Sequence, residues 1–466
     1  MSIWAGVGDS SLAKKDHRSY RVAMSQTQWH DPKKALWAVG LVVPSLTFIG
    51  IGMHALTGWG AWLWIGPLFV LGTVPIIDLV AGRDTEGPPD DAIAALEADR
   101  YYRWVTYLYL PLQYIGFVLG CFVIARGGLS TSESVGLAIT LGFVGGIGIN
   151  TAHELGHKRE ENERRLAKVA LAQSGYGHFY IEHNRGHHVR VATPEDPASS
   201  RLGEGFYRYW WRTVTGSLAS AWSLESRRLS LRDRRALRWD NDILSAWLLT
   251  AVLWLGLLAW LGIGLLPYVI IQALIAITLL EAVNYLEHYG LLRQRVTSGD
   301  RVRYERVDAS HSWNSNNVAT NVLLYHLQRH SDHHANPTRR YQALRDEPAA
   351  PVLPTGYAGM ILLALIPPLW RRVMDPRVAA HYGGDLTRAN RGIAPEPAEA
   401  TAATQRLRDP SAVACPGCGY TYVAALGDLH EGIAPGTPWS SIADDWCCPD
   451  CGVRSKQDFT LAANLP

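Results

Sequence analysis

The chain has 466 residues, more than one ordinary domain needs, and combines 48% hydrophobic residues and 18 tryptophans with a mean hydropathy of −0.03, so its apolar sequence must be gathered into blocks. A formal net charge of +2, with no Lys/Arg tract interleaved with aromatics, gives no basis for nucleic-acid binding. The six cysteines do not read as a disulfide framework: four form two C-x-x-C pairs near the C-terminus, Cys121 and Cys447 lack obvious partners, and thiolate metal ligation in a reducing compartment is expected.

From the N-terminus, Lys14, Lys15, Asp16, His17 and Arg18 are not followed by a short apolar core and a small-residue cleavage site, so the first apolar block is expected to stay in the protein. Runs long enough to cross a hydrocarbon core fall at 35–57, 60–82, 104–126, 134–152, 243–263 and 266–287. The stretch from Leu244 to Leu266 is nearly free of charge and is closely followed by another such run, which favours the bilayer over a buried soluble core. Glycine and proline within these runs are compatible with spanning helices, because neighbouring helices resatisfy the freed backbone groups.

Six spans place both termini on one side, together with the connections 83–103 and 153–242. The segment from Lys158 to Arg238 is rich in arginine, whereas the short loops at 126–133 and 263–265 carry almost no basic charge, so the long segments are expected in the cytoplasm. Gly359 to Trp370 is apolar but too short to cross and reads as a re-entrant or interfacial helix. The chain from Leu386 to about 412 reads as a linker, being rich in Ala, Pro, Glu and Arg without period as far as Arg408, and separates a membrane domain (1–385) from a small domain at 413–466.

Histidines occur at spacings that suit metal ligation: His153-x-x-x-His157, His183-x-x-x-His187-His188, His288, and His330-x-x-His333-His334. Residues three and four apart share a helix face, so each group is expected to aim several imidazoles at one point. These nine are too many for one first-row ion and imply two metals. His326 lies four residues before His330 and is expected beside the ligands at most; His17, His30, His54, His178, His311, His381 and His430 stand alone and read as structural. Glu154 and Asp332 are expected to orient ligating imidazoles. His153-Glu-Leu-Gly-His157 also fits the H-E-x-x-H pattern of zinc proteases, with Glu154 as general base, but that reading leaves the later clusters and the cysteines unexplained.

Taken with their neighbours, His153-Glu-Leu-Gly-His157, Glu182-His183-Asn-Arg-Gly-His187-His188, Asn284-Tyr-Leu-Glu-His288-Tyr-Gly290 and Leu327-Gln-Arg-His330-Ser-Asp-His333-His334 resemble the signatures of bacterial alkane 1-monooxygenases and, more loosely, the histidine boxes of membrane fatty-acid desaturases and hydroxylases. The resemblance implies a mainly α membrane protein of six transmembrane helices with a cytoplasmic helical histidine-box region in a bacterial inner membrane. It further implies two irons held by the nine histidines and conversion of medium-chain n-alkanes and dioxygen to 1-alkanols. The chemistry is coherent, because an unactivated C–H bond offers no acidic proton or polar handle and calls for a redox metal. Imidazole alone does not choose among iron, zinc and copper.

Near the C-terminus, Cys415-Pro-Gly-Cys418 and Cys448-Pro-Asp-Cys451 form two knuckles suited to a tetrahedral zinc or iron site. Tyr420, Tyr422, Gly432-Ile-Ala-Pro-Gly-Thr-Pro-Trp439 and Asp444-Asp-Trp446 resemble rubredoxin, which implies one iron on Cys415, Cys418, Cys448 and Cys451 and no role for Cys447. An NAD(P)H-dependent flavin rubredoxin reductase is then the implied electron source. A desaturase or lipid hydroxylase on the same frame, and a metal- or electron-carrying membrane protein without catalysis, are the alternatives.

Overall fold

The computed structural model describes residues 29–298, 301–399 and 409–462. Among the described residues, six helices are long and apolar enough to cross a membrane: Lys34–Thr57, Gly60–Ala81, Arg100–Arg126, Thr131–Gly156, Asp242–Leu261 and Ile263–Glu287. These match the apolar runs, and the chain is a multi-pass membrane protein. Polar caps set several of their starts. The Asp99 side chain accepts from Tyr101 N, Ser130 and Glu133 form a reciprocal capping box, and Asn241 accepts from Ile243 N and Leu244 N.

The fourth span is the axis of the bundle: 89% of its apolar window is buried, against 17% for the fifth, which faces lipid. Its glycines make this possible. A Cβ on Gly142 would stand 2.8 Å from the Gln272 carbonyl oxygen, and one on Gly146 would stand 3.2 Å from Ala276 Cα, so the fourth and sixth spans touch backbone to backbone. Their C-terminal ends therefore arrive together, and each is followed directly by a histidine, His157 and His288.

Between the fourth and fifth spans, helices Glu161–Ala172 and Phe206–Ser230 cover the centre. The first is tied into the bundle by amides: Gln113 Nε2 donates to Gln173 Oε1 at 2.8 Å, and Gln272 Nε2 donates to the Gln173 carbonyl at 2.8 Å. The apolar stretch after residue 356 forms two helices, Tyr357–Ala364 and Pro367–His381, broken before Pro367. The first of them packs against the sixth span and closes the bundle rather than crossing it.

A hairpin of β1 (Arg295–Ser298) and β2 (Arg301–Tyr304) is joined by β3 (Ala398–Glu399), parallel to β1. The early part of the expected linker is thus not free. Leu202 N donates to the Asn390 carbonyl at 2.7 Å, Asn390 N donates to Gly290 O at 3.0 Å, and Asn390 is fully buried. Residues 400–408 of that stretch lie outside the described residues.

The small C-terminal unit is a sheet of β4 (Ala412–Ala414) between β5 (Thr421–Val423) and β6 (Thr460–Leu461), both antiparallel to it. Its core is aromatic, with Tyr422, Trp439 and Phe459 packed beside buried cysteines. This unit is seated on the membrane domain through Arg164–Asp450 at 3.2 Å, Arg185–Glu431 at 3.3 Å and an Arg306–Asp458 pair.

Candidate metal centre

His153 occupies the last turn of the fourth span and His157 follows directly after it, while His288 follows the sixth span. His183 and His187 lie in a single π-helical turn, Glu182–His187, with His188 next. Glu182 and Gly186 permit that turn, since a Cβ on Gly186 would stand 2.5 Å from a Glu182 carboxylate oxygen. His330, His333 and His334 lie on the short helix His330–Ala335. Tyr325 and His326, at φ 50° and 54°, turn the chain into it.

All nine histidines are buried, and their ring nitrogens fall into two groups. One contains His153, His157, His183, His188 and His333, the other His187, His288, His330 and His334. The structure corrects the expectation that each sequence cluster aims at a single point. Adjacent residues on a helix point about 100° apart, so each His-His pair straddles the two groups. His183 and His188, five apart across the π turn, serve one group while His187 serves the other; His330 and His334, four apart, serve the second while His333 serves the first.

Within the five-membered group, His333 Nε2 lies 2.9 Å from His153 Nε2 and 3.2 Å from His188 Nε2, and His188 Nε2 lies 3.1 Å from His183 Nε2. In the other group, His330 Nε2 lies 2.9 Å from His334 Nε2 and 3.2 Å from His288 Nε2. His157 Nε2 and His187 Nε2 are buried with no hydrogen-bond partner. Burial first, and neighbouring imidazoles second, hold His157, His183, His188, His330, His333 and His334 well below the usual histidine range. Neutral rings converging in this way direct lone pairs at one another, an arrangement that a bound cation relieves. The donor set therefore fits two metal ions.

The groups behind the ligands differ from expectation. The Glu154 carboxylate pairs with Lys158 at 3.0 Å and accepts from Tyr341 N at 3.3 Å, so it orients no imidazole and is not placed as a protease base. Asp332 is held by Arg339 at 2.7 Å and by the Arg345 amide. His326 Nδ1 donates to the Tyr341 carbonyl at 3.0 Å, and its ring stands edge-on to Trp37, outside both groups. The orienting carboxylate is Asp196, 2.9 Å from His187 Nδ1 and bonded to the Ser199 hydroxyl at 2.6 Å. Burial opposes its ionisation, yet the His187 ring and that hydroxyl hold its pKa down to about 2. His288 Nδ1 is set by the His311 carbonyl at 3.1 Å.

The isolated histidines lie outside both groups, with His54 on Glu133 at 3.2 Å and His430 beside Arg185 at the seat of the small domain. His17 lies outside the described residues.

A narrow cavity of about 60 Å³ reaches His153, His183 and His330 from the membrane interior, walled by Val43, Val70, Val74, Ile147, Leu279 and Ile361 among others. Beside it, an apolar groove of about 570 Å³ between the second, fourth and sixth spans shares Leu279 and Ile361 with the cavity.

On the opposite side stands the cysteine site. Cys415 Sγ is 3.8 Å from Cys451 Sγ and Cys418 Sγ is 3.5 Å from Cys448 Sγ. Four thiolates at about 2.3 Å from one ion would be separated by about 3.8 Å, so the knuckles have the spacing of a tetrahedral metal site. The second knuckle faces the histidines directly: a Cβ on Gly452 would stand 2.7 Å from Asn184 O and 3.4 Å from His188 Cβ. Cys447 is outside the four, half-buried, its backbone bridged to Ser455.

Comparison with known proteins agrees with both halves. Residues 131–392 match the fatty acid desaturase family and residues 412–459 match rubredoxin. The chain is 45% identical over 369 residues to an alkane 1-monooxygenase of Ectopseudomonas oleovorans, covering 79% of this chain and 91% of that protein. It is 45% identical over 366 residues to one of Acinetobacter baylyi, covering 77% and 88%. A xylene/toluene monooxygenase hydroxylase component of Pseudomonas putida is 27% identical over 318 residues, 67% of this chain and 81% of that protein. The chain is therefore an oxygenase of the alkane 1-monooxygenase family that carries a C-terminal rubredoxin domain.

Proposed function

We propose that the protein hydroxylates medium-chain n-alkanes at a terminal methyl to give 1-alkanols. In this reading His153, His157, His183, His187, His188, His288, His330, His333 and His334 hold two irons, and Cys415, Cys418, Cys448 and Cys451 hold a third. An NAD(P)H-dependent flavin reductase reduces the rubredoxin domain. The protein sits in a bacterial inner membrane with its metal centres towards the cytoplasm, where the arginine-rich segments lie, and is divided into a hydroxylase (1–385), a connection (386–412) and a rubredoxin domain (413–466).

The observation that carries the reading is the shared position of the two sites: an apolar cavity ends on one side of the histidines and the cysteine knuckle rests on the other. When bound, the irons supply the oxidising power that an unactivated C–H bond requires from dioxygen. The protein's part is positioning. Apolar walls admit a hydrocarbon and exclude water, buried neutral imidazoles keep their lone pairs free for the metals, and Asp196 and the His311 carbonyl fix two ring orientations. The cavity is small and the adjoining groove large, so a medium-length chain enters with its methyl end in the cavity and its remainder in the groove. Outside the clustered histidines, the polar side chains of the wall are Asn150, Asn284, Glu287 and Thr320.

The test is product analysis with octane, dodecane and a fatty acyl substrate, using the full chain, reductase and NADH. 1-Octanol or 1-dodecanol is the expected product; an alkene, or no turnover of either alkane, overturns the proposal.

A further inference from the structure

The two histidine groups are unequal, five donors against four, and a carboxylate stands beside the poorer one. Glu287 ends the sixth span, is 1% exposed, and places Oε2 3.2 Å from His330 Nε2. That nitrogen also faces His288 Nε2 at 3.2 Å and His334 Nε2 at 2.9 Å. Two donors sharing one first-row ion, with bonds of about 2.1 Å, stand about 3.0 Å apart at right angles and about 3.4 Å apart at a tetrahedral angle. The carboxylate oxygen thus has the spacing from His330 that the neighbouring ligand nitrogens have, although it falls outside the set of donors that all lie within 4.8 Å of one another.

A hydrogen bond does not account for the contact, because a His330 Nε2 engaged with a metal has no proton to donate. The Tyr357 hydroxyl is hydrogen-bonded to the Glu287 side chain but carries no charge, and among the described residues no lysine or arginine pairs with it. A buried carboxylate left in that state is costly unless a cation compensates it. Glu281, one turn and a half earlier on the same helix, shows the contrast: Tyr176, Thr213 and Asn284 satisfy its carboxylate, and it contacts no clustered histidine. Glu287 also lines the apolar cavity, so it stands between the metal group and the space open to substrate.

We propose that Glu287 is a ligand of the metal held by His187, His288, His330 and His334, which gives that metal one anionic oxygen donor where the other has imidazole alone. The inference rests on reading the clusters as iron sites. It makes the two irons chemically distinct, five donors each but of different charge.

The test is Glu287→Gln in the full chain, loaded with ⁵⁷Fe and compared with the native protein by Mössbauer spectroscopy and by the rate of iron loss to a chelator. The expected result is a changed signal from one histidine-site iron only, about 10-fold faster loss of that iron, and unaltered rubredoxin absorption. Glu287→Asp, which retains a carboxylate, should lose iron more slowly than Glu287→Gln. Native signals and native iron retention in Glu287→Gln would overturn the assignment, as would a Glu287→Asp chain impaired to the same degree. Should native chains bind a different metal there, the iron reading falls, while the chelation comparison still reports on the ligand.

Discussion

The cysteine site and the histidine centre gather their donors in opposite ways. The cysteine pairs are separated by 30 and 36 residues, and each knuckle closes on itself, with Gly419 N bonded to Cys415 O and Gly452 N bonded to Cys448 O. The glycines at φ 74° and 67° suit those turns. In the histidine centre, contacting rings lie as far as 180 residues apart, and three of the nine stand at the ends of membrane spans. The thiolate site is therefore local, and in so small a domain a metal bound there would supply much of the folding energy. The histidine centre is imposed by a scaffold that brings the donors together first. Damage should consequently travel one way: a ligand change in either site empties that site, but only the cysteine site should lose its fold along with its metal.

The largest effect tests that independence. His333→Ala removes a ring that faces both His153 and His188, and alkane hydroxylation should vanish while the rubredoxin visible spectrum stays unchanged. Cys448→Ser should do the converse, bleaching the visible spectrum and stopping NADH-driven turnover while iron remains in the histidine centre. Metal analysis with absorption spectroscopy on both variants decides the matter. Bleaching in His333→Ala would show that the two sites are not separately built.

A smaller loss is expected from Asp196→Asn, which keeps the size of the side chain but weakens the hold on His187 Nδ1. Support of this kind is worth about 10- to 100-fold in metal affinity or activity. Iron retention against a chelator should fall in that range, with the rubredoxin spectrum intact; retention equal to the native protein would mean that the π turn alone sets the His187 ring.

The contrast between the sites also explains which features are legible in the amino-acid sequence. Apolar runs locate the six spans of the described residues, and the largest errors lie where polar residues cap the helices. The fourth run reads as 134–152, whereas the helix is Thr131–Gly156, because the Ser130 and Glu133 capping box at one end and His153 at the other are invisible to hydropathy. The rubredoxin knuckles are legible because each is a contiguous turn. The histidines are recognisable as a set, but their division is not, since it depends on a π turn at Glu182–His187 and on which side of a short helix each ring leaves. Asp196 gives no signal at all: it lies nine residues from His187 in a loop with no periodic relation to the motif. Glu154 and Asp332 mislead for the complementary reason, adjacency in sequence without adjacency in space.

Where the two regions meet, the pairing is electrostatic, with Arg164 and Arg159 of the hydroxylase on Asp450 of the second knuckle at 3.2 and 3.7 Å. Exposed pairs of this type are worth about 0.2–1 kcal/mol each. Asp450→Lys, which adds repulsion to the loss, should slow electron transfer between the domains by about 3- to 10-fold without altering the rubredoxin spectrum, and the native rate should itself fall with salt. Stopped-flow reduction followed by reoxidation in the presence of substrate and dioxygen measures it, and a rate insensitive to both salt and substitution would show that the seat is held by its apolar contacts.

The smallest effect lies at the Arg185–Glu431 pair, 3.3 Å apart and about four-fifths buried at the same interface. Burial opposes the charge on Glu431, but Arg185 and the adjoining His430 hold its pKa down to about 2, below the ordinary 4.5. A carboxylate depressed in the seated state stabilises seating fully above its unperturbed pKa and loses that contribution as the pH falls from there towards the depressed value. Glu431→Gln should thus slow interdomain electron transfer by a few-fold, and the ratio of native to variant rates should shrink towards one as the pH falls below about pH 4.5. A ratio that does not shrink below about pH 4.5 would assign control of the seat to another group.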